Sequence, residues 1–124
     1  MSSSLGLGFL KFTVRDLAAM EAFYREALGM TVQKRLDFPD LVEVILSGKG
    51  GADLALVWYK DGREISLGNA SGPIGVYLKD VDEAYARALA AGATSRMAPV
   101  SADDIRVAFV ADPEGHEIEF LRLD

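Results

Sequence analysis

The sequence predicts an α+β fold built from two tandem β-α-β-β-β modules, each a curved mixed sheet with one helix on its convex face. Two observations predict it. An amphipathic helix pattern occurs twice, about half the chain length apart, and three strand-like segments follow each helix. A short strand-like segment also precedes each helix. A tandem duplication within a single domain, residues 1–124, accounts for this repeat.

Both predicted helices begin and end with the same kinds of residue. In the first, apolar residues recur at three- and four-residue steps between Asp16, the natural N-cap, and Gly29, a typical terminator. In the second, Asp80 is the N-cap, Glu83 takes the capping-box position, and Gly92 ends the helix. These signals predict two helices in equivalent places of the two modules.

The strand candidates are separated by turn sequences rich in Gly, Pro and Asp, of which Asp112–Gly115 is the strongest. We place the modules at about residues 7–60 and 72–122, joined by a linker at 61–71 that is rich in Gly, Asn and Ser. The predicted strands are Phe9–Val14, Thr31–Leu36, Leu41–Ser47, Asp53–Tyr59, Ile74–Leu78, Thr94–Pro99, Ile105–Ala111 and His116–Leu121.

Composition excludes several classes of function. The chain has no Cys and one His, so disulfides, thiolate nucleophiles and sites with two imidazoles from one chain are excluded. A net charge of −6 argues against nucleic-acid binding, which needs a basic surface. The start of the chain lacks the pattern of a signal peptide, and the apolar run Leu54–Tyr59 is far too short to span a bilayer. We expect a cytoplasmic protein with neither a nucleic-acid nor a membrane partner.

Several segments are similar to those of one known family. The closing segment Asp112–Glu119 matches its Asp-Pro-(Asp/Glu)-Gly-x-x-Ile-Glu signature, and residues 14–17, 23–24, 27–29 and 90–93 add further similarity. The chain therefore resembles the vicinal oxygen chelate superfamily, which includes glyoxalase, bleomycin-resistance proteins and extradiol dioxygenases. The resemblance covers nearly the whole chain. It implies paired modules that form a cleft, usually completed in a homodimer.

The resemblance also implies where a metal would sit. In metal-dependent members four side chains, typically His and Glu, hold a divalent ion in the cleft. These positions fall on Phe9, on Pro73, near Leu56 and on Glu119, and only Glu119 keeps the ligand type. A divalent ion needs several oxygen or nitrogen donors, which one carboxylate does not supply. We therefore expect no metal and no cofactor.

Strand alternation, anchored on these positions, predicts an apolar cleft with a few polar groups, which is typical of a small-molecule site. Large aromatic residues also fill protein cores, and Glu119 could instead be a structural residue paired with Lys11. His116 is interpreted as a solvated turn residue. The predicted ligand-binding residues are Phe9, Lys11, Thr13, Leu54, Leu56, Trp58, Tyr77, Glu117 and Glu119.

Three classes of function fit these features. The leading hypothesis is a metal-independent protein that binds a small organic ligand, aromatic or basic, and sequesters a drug or natural product as in antibiotic resistance. The alternative is a lyase, isomerase or epimerase that acts beside a carbonyl, with Glu119 as the catalytic base and Lys11 or Tyr77 in place of a metal. The third is an interaction module whose cleft has no ligand.

Overall fold

The computed structural model describes residues 3–123 and confirms the repeated element order. The first half contains β1 Phe9–Thr13, α1 Leu17–Leu28, β2 Thr31–Asp37, β3 Leu41–Ser47 and β4 Asp53–Tyr59. The second half contains β5 Ile74–Tyr77, α2 Val81–Ala90, β6 Thr94–Ala102, β7 Ile105–Ala111 and β8 Glu117–Leu123.

The strands form two open four-stranded sheets with the same topology. Sheet A has the order β1-β4-β3-β2, and sheet B has the equivalent order β5-β8-β7-β6. In each sheet the first strand pairs in parallel with the last, and the other neighbours are antiparallel. The predicted α+β fold with mixed sheets is thus confirmed.

The helix signals act as predicted, with one small difference. The Asp16 carboxylate accepts a 3.0 Å hydrogen bond from the Ala19 N–H, and Gly29 ends α1 in the left-handed region at φ 66°. Asp80 caps α2 in the same way, but α2 ends at Ala90 and Gly92 follows in the turn, at φ 117°. Within residues 3–123, neither helix has the length and hydropathy needed to cross a membrane.

One face of each sheet packs on the helices and on a shared hydrophobic core. From β4 the core takes Leu54 and Leu56, and from β8 it takes Ile118 and Phe120. The two helices pack against each other between the sheets. We call the core-facing side of each sheet its inner face and the opposite side its outer face.

Candidate functional site

The outer face of sheet A carries three of the predicted ligand-binding residues. In the β1–β4 register, Phe9, Lys11 and Thr13 pair with Asp53, Ala55 and Val57, and all six share the outer face. The Lys11 ammonium lies 3.1 Å from the Glu43 carboxylate and 5.7 Å from the centre of the Phe9 ring. The interpretation of Lys11 as a partner of Glu119 is therefore wrong.

The structure places Leu54, Leu56 and Trp58 on the other side of the sheet. Leu54 and Leu56 are buried in the shared core at 3 % and 0 % exposure, so they line no open site. Trp58 faces the same side of β4 as Leu54 and Leu56, and it lies near the end of the strand, close to Arg63. The prediction that these three residues share a face with Phe9 is wrong, since a shift of one residue along a strand reverses the face.

The outer face of sheet B carries the other predicted residues. Glu119 pairs with Gly75 on one side and Phe109 on the other, and Tyr77, on the same face, is 76 % exposed. A side chain built on Gly75 would meet nothing within 4 Å, so space is open beside Glu119. Glu117 and Glu119 are half-buried and have no hydrogen-bond or ion-pair partner in the described part of the chain.

The six predicted residues that reach an outer face are therefore divided between two surfaces. The inner faces of both sheets contribute to one core, so the outer faces point away from it. No hydrogen bond, ion pair or ring contact within residues 3–123 joins Phe9, Lys11 or Thr13 to Tyr77, Glu117 or Glu119. We call these two groups of residues the half-sites of the candidate site.

Sequence reasoning missed two residues of these half-sites. Glu43 is the only charged residue in β3, a signal that could have marked it as a functional candidate on a mainly apolar strand. Phe109 could not be found in this way, because its place beside Glu119 follows from the β7–β8 register.

The four positions at which the family resemblance implies metal ligands do not fit a metal here. The register makes Ala55, not Leu56, the outer-face counterpart of Glu119, because Ala55 pairs with Lys11 as Glu119 pairs with Gly75. Phe9, Ala55 and Pro73 offer no side-chain donor. No group of three or more His, Cys, Asp or Glu residues suited to an ion occurs within residues 3–123. The donor set is therefore too small for a divalent ion.

A buried polar network joins the two modules beneath the outer faces. The Asp112 carboxylate, 2 % exposed, accepts a 2.6 Å hydrogen bond from the Tyr24 hydroxyl and lies 2.7 Å from His116 Nδ1. The His116 ring stacks on Phe12 of β1 with centroids 4.2 Å apart. His116 is thus buried between the modules, and its interpretation as a solvated turn residue is wrong.

The network shifts the pKa of two of its members. Burial alone raises the pKa of Asp112, but the hydrogen bonds from His116 and Tyr24 outweigh it and hold that pKa below its ordinary value. Burial and the Asp112 charge raise the pKa of Tyr24. The hydroxyl therefore remains a donor to an ionised carboxylate throughout the physiological range.

Glu114, from the same turn, makes a second connection between the modules. Its carboxylate oxygens accept hydrogen bonds of 2.7 Å and 2.8 Å from the backbone N–H groups of Arg15 and Asp16, at the start of α1. A carboxylate at a helix N-terminus satisfies donors that have no partner within the helix. The turn between β7 and β8, which leads into Glu117 and Glu119, is thereby fixed to the first module.

Comparison with known proteins agrees with this architecture. A lactoylglutathione lyase of Neisseria meningitidis is 33 % identical over 108 residues, which are 81 % of this chain and 78 % of that protein. Trypanothione-dependent glyoxalase I of Leishmania major is 27 % identical with a TM-score of 0.78, over 96 % of this chain and 87 % of that one. Glyoxalase I of Zea mays superposes with a TM-score of 0.85 at 20 % identity, covering 96 % of this chain and 45 % of the maize chain, which supports the fold alone.

The profile of one family matches nearly the whole chain. The match spans residues 6–120 and therefore includes both modules. The chain belongs to the Glyoxalase/Bleomycin resistance protein/Dioxygenase superfamily.

Proposed function

We propose that this chain is a metal-independent small-molecule-binding protein of the glyoxalase/bleomycin-resistance type, which sequesters an organic ligand. One observation carries the proposal. Of the four positions at which metal-dependent members hold an ion, Phe9, Ala55 and Pro73 have no donor atom and Glu119 stands alone. A divalent ion exchanges several bound waters for protein donors, and one carboxylate does not compensate for that loss.

The chemistry of the outer faces favours an aromatic or basic ligand. Phe9, Tyr77 and Phe109 offer ring faces for stacking. Glu117 and Glu119 are half-buried carboxylates that pair with no other group among residues 3–123, so a ligand cation or N–H group would find acceptors there. The net charge of −6 adds a long-range attraction for basic compounds.

A homodimer would complete the site. Phe9 and Tyr77 are 59 % and 76 % exposed, so both rings are available for contact with a ligand or a partner chain. A second copy that places sheet A of one chain opposite sheet B of the other would bring Phe9 and Lys11 across from Tyr77 and Glu119.

Ligand binding is tested first on protein as purified. Native mass spectrometry would reveal a co-purified organic mass, and titration calorimetry would follow binding of a panel of basic aromatic compounds, with bleomycin as one member. We expect saturable binding, and we expect Glu119→Gln to raise the dissociation constant about tenfold, because the variant removes one charge-assisted hydrogen bond. Glu64→Gln, an exposed linker change of identical chemistry, is the matched control and should leave binding unchanged. No binding across the panel would refute the proposal.

Metal independence is tested separately. The protein is dialysed against Ni²⁺ or Zn²⁺, freed of unbound ion, and analysed for metal per chain. It is then assayed with methylglyoxal and glutathione in the presence of each metal. We expect well under one ion per chain and no efficient turnover. One tightly held ion per chain, or efficient turnover that depends on it, would contradict the proposal.

A second candidate is a lyase, isomerase or epimerase that uses Glu119 as the base. The name of the Neisseria relative, lactoylglutathione lyase, favours it, and so does Glu119, which has no ion-pair or hydrogen-bond partner in the part of the chain that the structure describes. A base in an apolar site can remove a proton beside a carbonyl, and Tyr77 on the same outer face could donate to the resulting enolate oxygen. Turnover that Glu119→Gln abolishes without changing the circular dichroism spectrum would favour this reaction over sequestration.

A further inference from the structure

A cavity at the far end of sheet A shares no residue with the two half-sites. It measures about 200 Å³ and is found where β4 runs into the linker. Its walls include Trp58 and Tyr59 from β4 and Arg63 and Ile65 from the linker. Neither the outer-face carboxylates nor the metal positions of the family contribute to it.

The side chain of Arg63 is bound in this region like a ligand. Its guanidinium carbon lies 3.6 Å from the centre of the Tyr59 ring, which is the distance of a stacked cation–π contact. The same group donates to both Asp61 carboxylate oxygens, from Nη2 to Oδ2 at 2.7 Å and from Nε to Oδ1 at 3.1 Å. These hydrogen bonds lower the pKa of Asp61 and raise that of Arg63.

The neighbouring charged groups are already engaged elsewhere or are acidic. Arg15, the other cation on the cavity wall, donates to the Ile65 carbonyl at 2.6 Å, and Lys60 pairs with Asp37 at 2.8 Å. Asp40 adds a further negative charge near Arg63. Without the Arg63 side chain, the Tyr59 ring and the Asp61 carboxylate would therefore face the solvent with no cation between them.

We propose that Tyr59 and Asp61 form a guanidinium-binding site that the chain's own Arg63 occupies, and that a small guanidino compound displaces it. An aromatic face and a carboxylate in this arrangement suit a flat, forked cation that stacks and donates two parallel hydrogen bonds. An ammonium group can do only part of this. Because Arg63 is tethered two residues from Asp61, its effective concentration is high, and it excludes weak competitors. The site goes beyond the proposed function and does not depend on it.

Methylguanidinium tests the proposal, with Trp58 as the reporter. Trp58 is the only tryptophan of the chain and lines the same cavity, so its fluorescence should respond to ligand at the site. At low ionic strength, we expect Arg63→Ala to bind methylguanidinium about fivefold more tightly than the wild type, because the internal competitor is gone. Arg96→Ala, which removes an exposed arginine from β6, is the matched control and should bind as the wild type does.

Two further variants make the result decisive. Tyr59→Leu in the Arg63→Ala background should lose the gain, since it removes the ring on which the cation stacks. Methylammonium should bind Arg63→Ala more weakly than methylguanidinium does. The proposal is overturned if Arg63→Ala binds methylguanidinium no better than the wild type does, if Tyr59→Leu retains the gain, or if the two probes bind equally. Circular dichroism and amide NMR spectra of each variant confirm that it is folded.

Discussion

Replacing Tyr24 with Phe would remove one hydroxyl group from the network that joins the modules. Tyr24 is fully buried, and its hydroxyl donates at 2.6 Å to the Asp112 carboxylate, which is also buried. A hydrogen bond to a charged group contributes about 1.5–3 kcal/mol. Asp112 would keep three donors, the His116 ring and the backbone N–H groups of Glu114 and His116, so it would not be left without partners. We therefore expect the free energy of unfolding to fall by about 2 kcal/mol.

The chain contains a matched control for this change. The Tyr85 hydroxyl donates to Ser95 Oγ, also at 2.6 Å, but at an exposed position where water can replace the lost partner. Tyr85→Phe should therefore cost only about 0.5 kcal/mol. Urea denaturation followed by far-UV circular dichroism measures both variants against the wild type. Equal costs for the two variants would refute the view that burial of the Asp112 charge makes the Tyr24 hydrogen bond strong.

Three other predictions concern the same interior. Leu56→Ala should lower the free energy of unfolding, measured by urea denaturation, by about 3 kcal/mol, because Leu56 is fully buried. A loss below about 1 kcal/mol would contradict its place in the core and favour an open site instead. Glu114→Gln should cost about 1 kcal/mol, since it weakens the hydrogen bonds from the Arg15 and Asp16 N–H groups, and unchanged stability would show that this bridge is dispensable. Because the folded-state pKa of Asp112 lies below 3.8, its contribution should be complete above that pH and be lost as the pH falls through the lowered value. The stability difference between wild type and Tyr24→Phe, measured from pH 7 to pH 2, should therefore shrink only in the acid range.

The fold could be predicted because its signals are local. Asp16 and Asp80 accept hydrogen bonds from the backbone N–H groups three residues later in the chain, so the start of a helix can be predicted from a few neighbouring residues. The repeat of the same order in both halves then adds a second, independent indication of where each strand lies. Elements of this kind do not depend on how the two sheets pack.

The site could not be predicted to the same degree, because it depends on which way each strand faces. In β4 the residues of both parities are buried: Ala55 and Val57 at 1 % and 2 % exposure, like Leu54 and Leu56. Such a strand has no alternation of apolar and polar residues that would indicate which face is the inner one. A shift of one residue then replaces Ala55 with Leu56 at the position where the resemblance implies a metal ligand.

The burial of His116 could not be predicted from the sequence for a related reason. Its ring stacks on Phe12, and Tyr24 binds its partner Asp112; both lie about a hundred residues earlier in the chain and come close only after the modules have packed. A turn sequence predicts the turn correctly, but it contains no information about a partner so distant along the chain.

The orientation of the two sheets has a practical consequence for measuring affinity. Phe9 and Glu119 lie on two outer faces that point away from the shared core. A ligand that must contact both residues therefore needs two chains. The apparent dissociation constant of the ligand would then fall as the protein concentration rises, because dimerisation of the chain and binding of the ligand are thermodynamically linked. Titrations at nanomolar and at micromolar protein would disagree, and the size of the disagreement would report how strongly the ligand holds the two chains together.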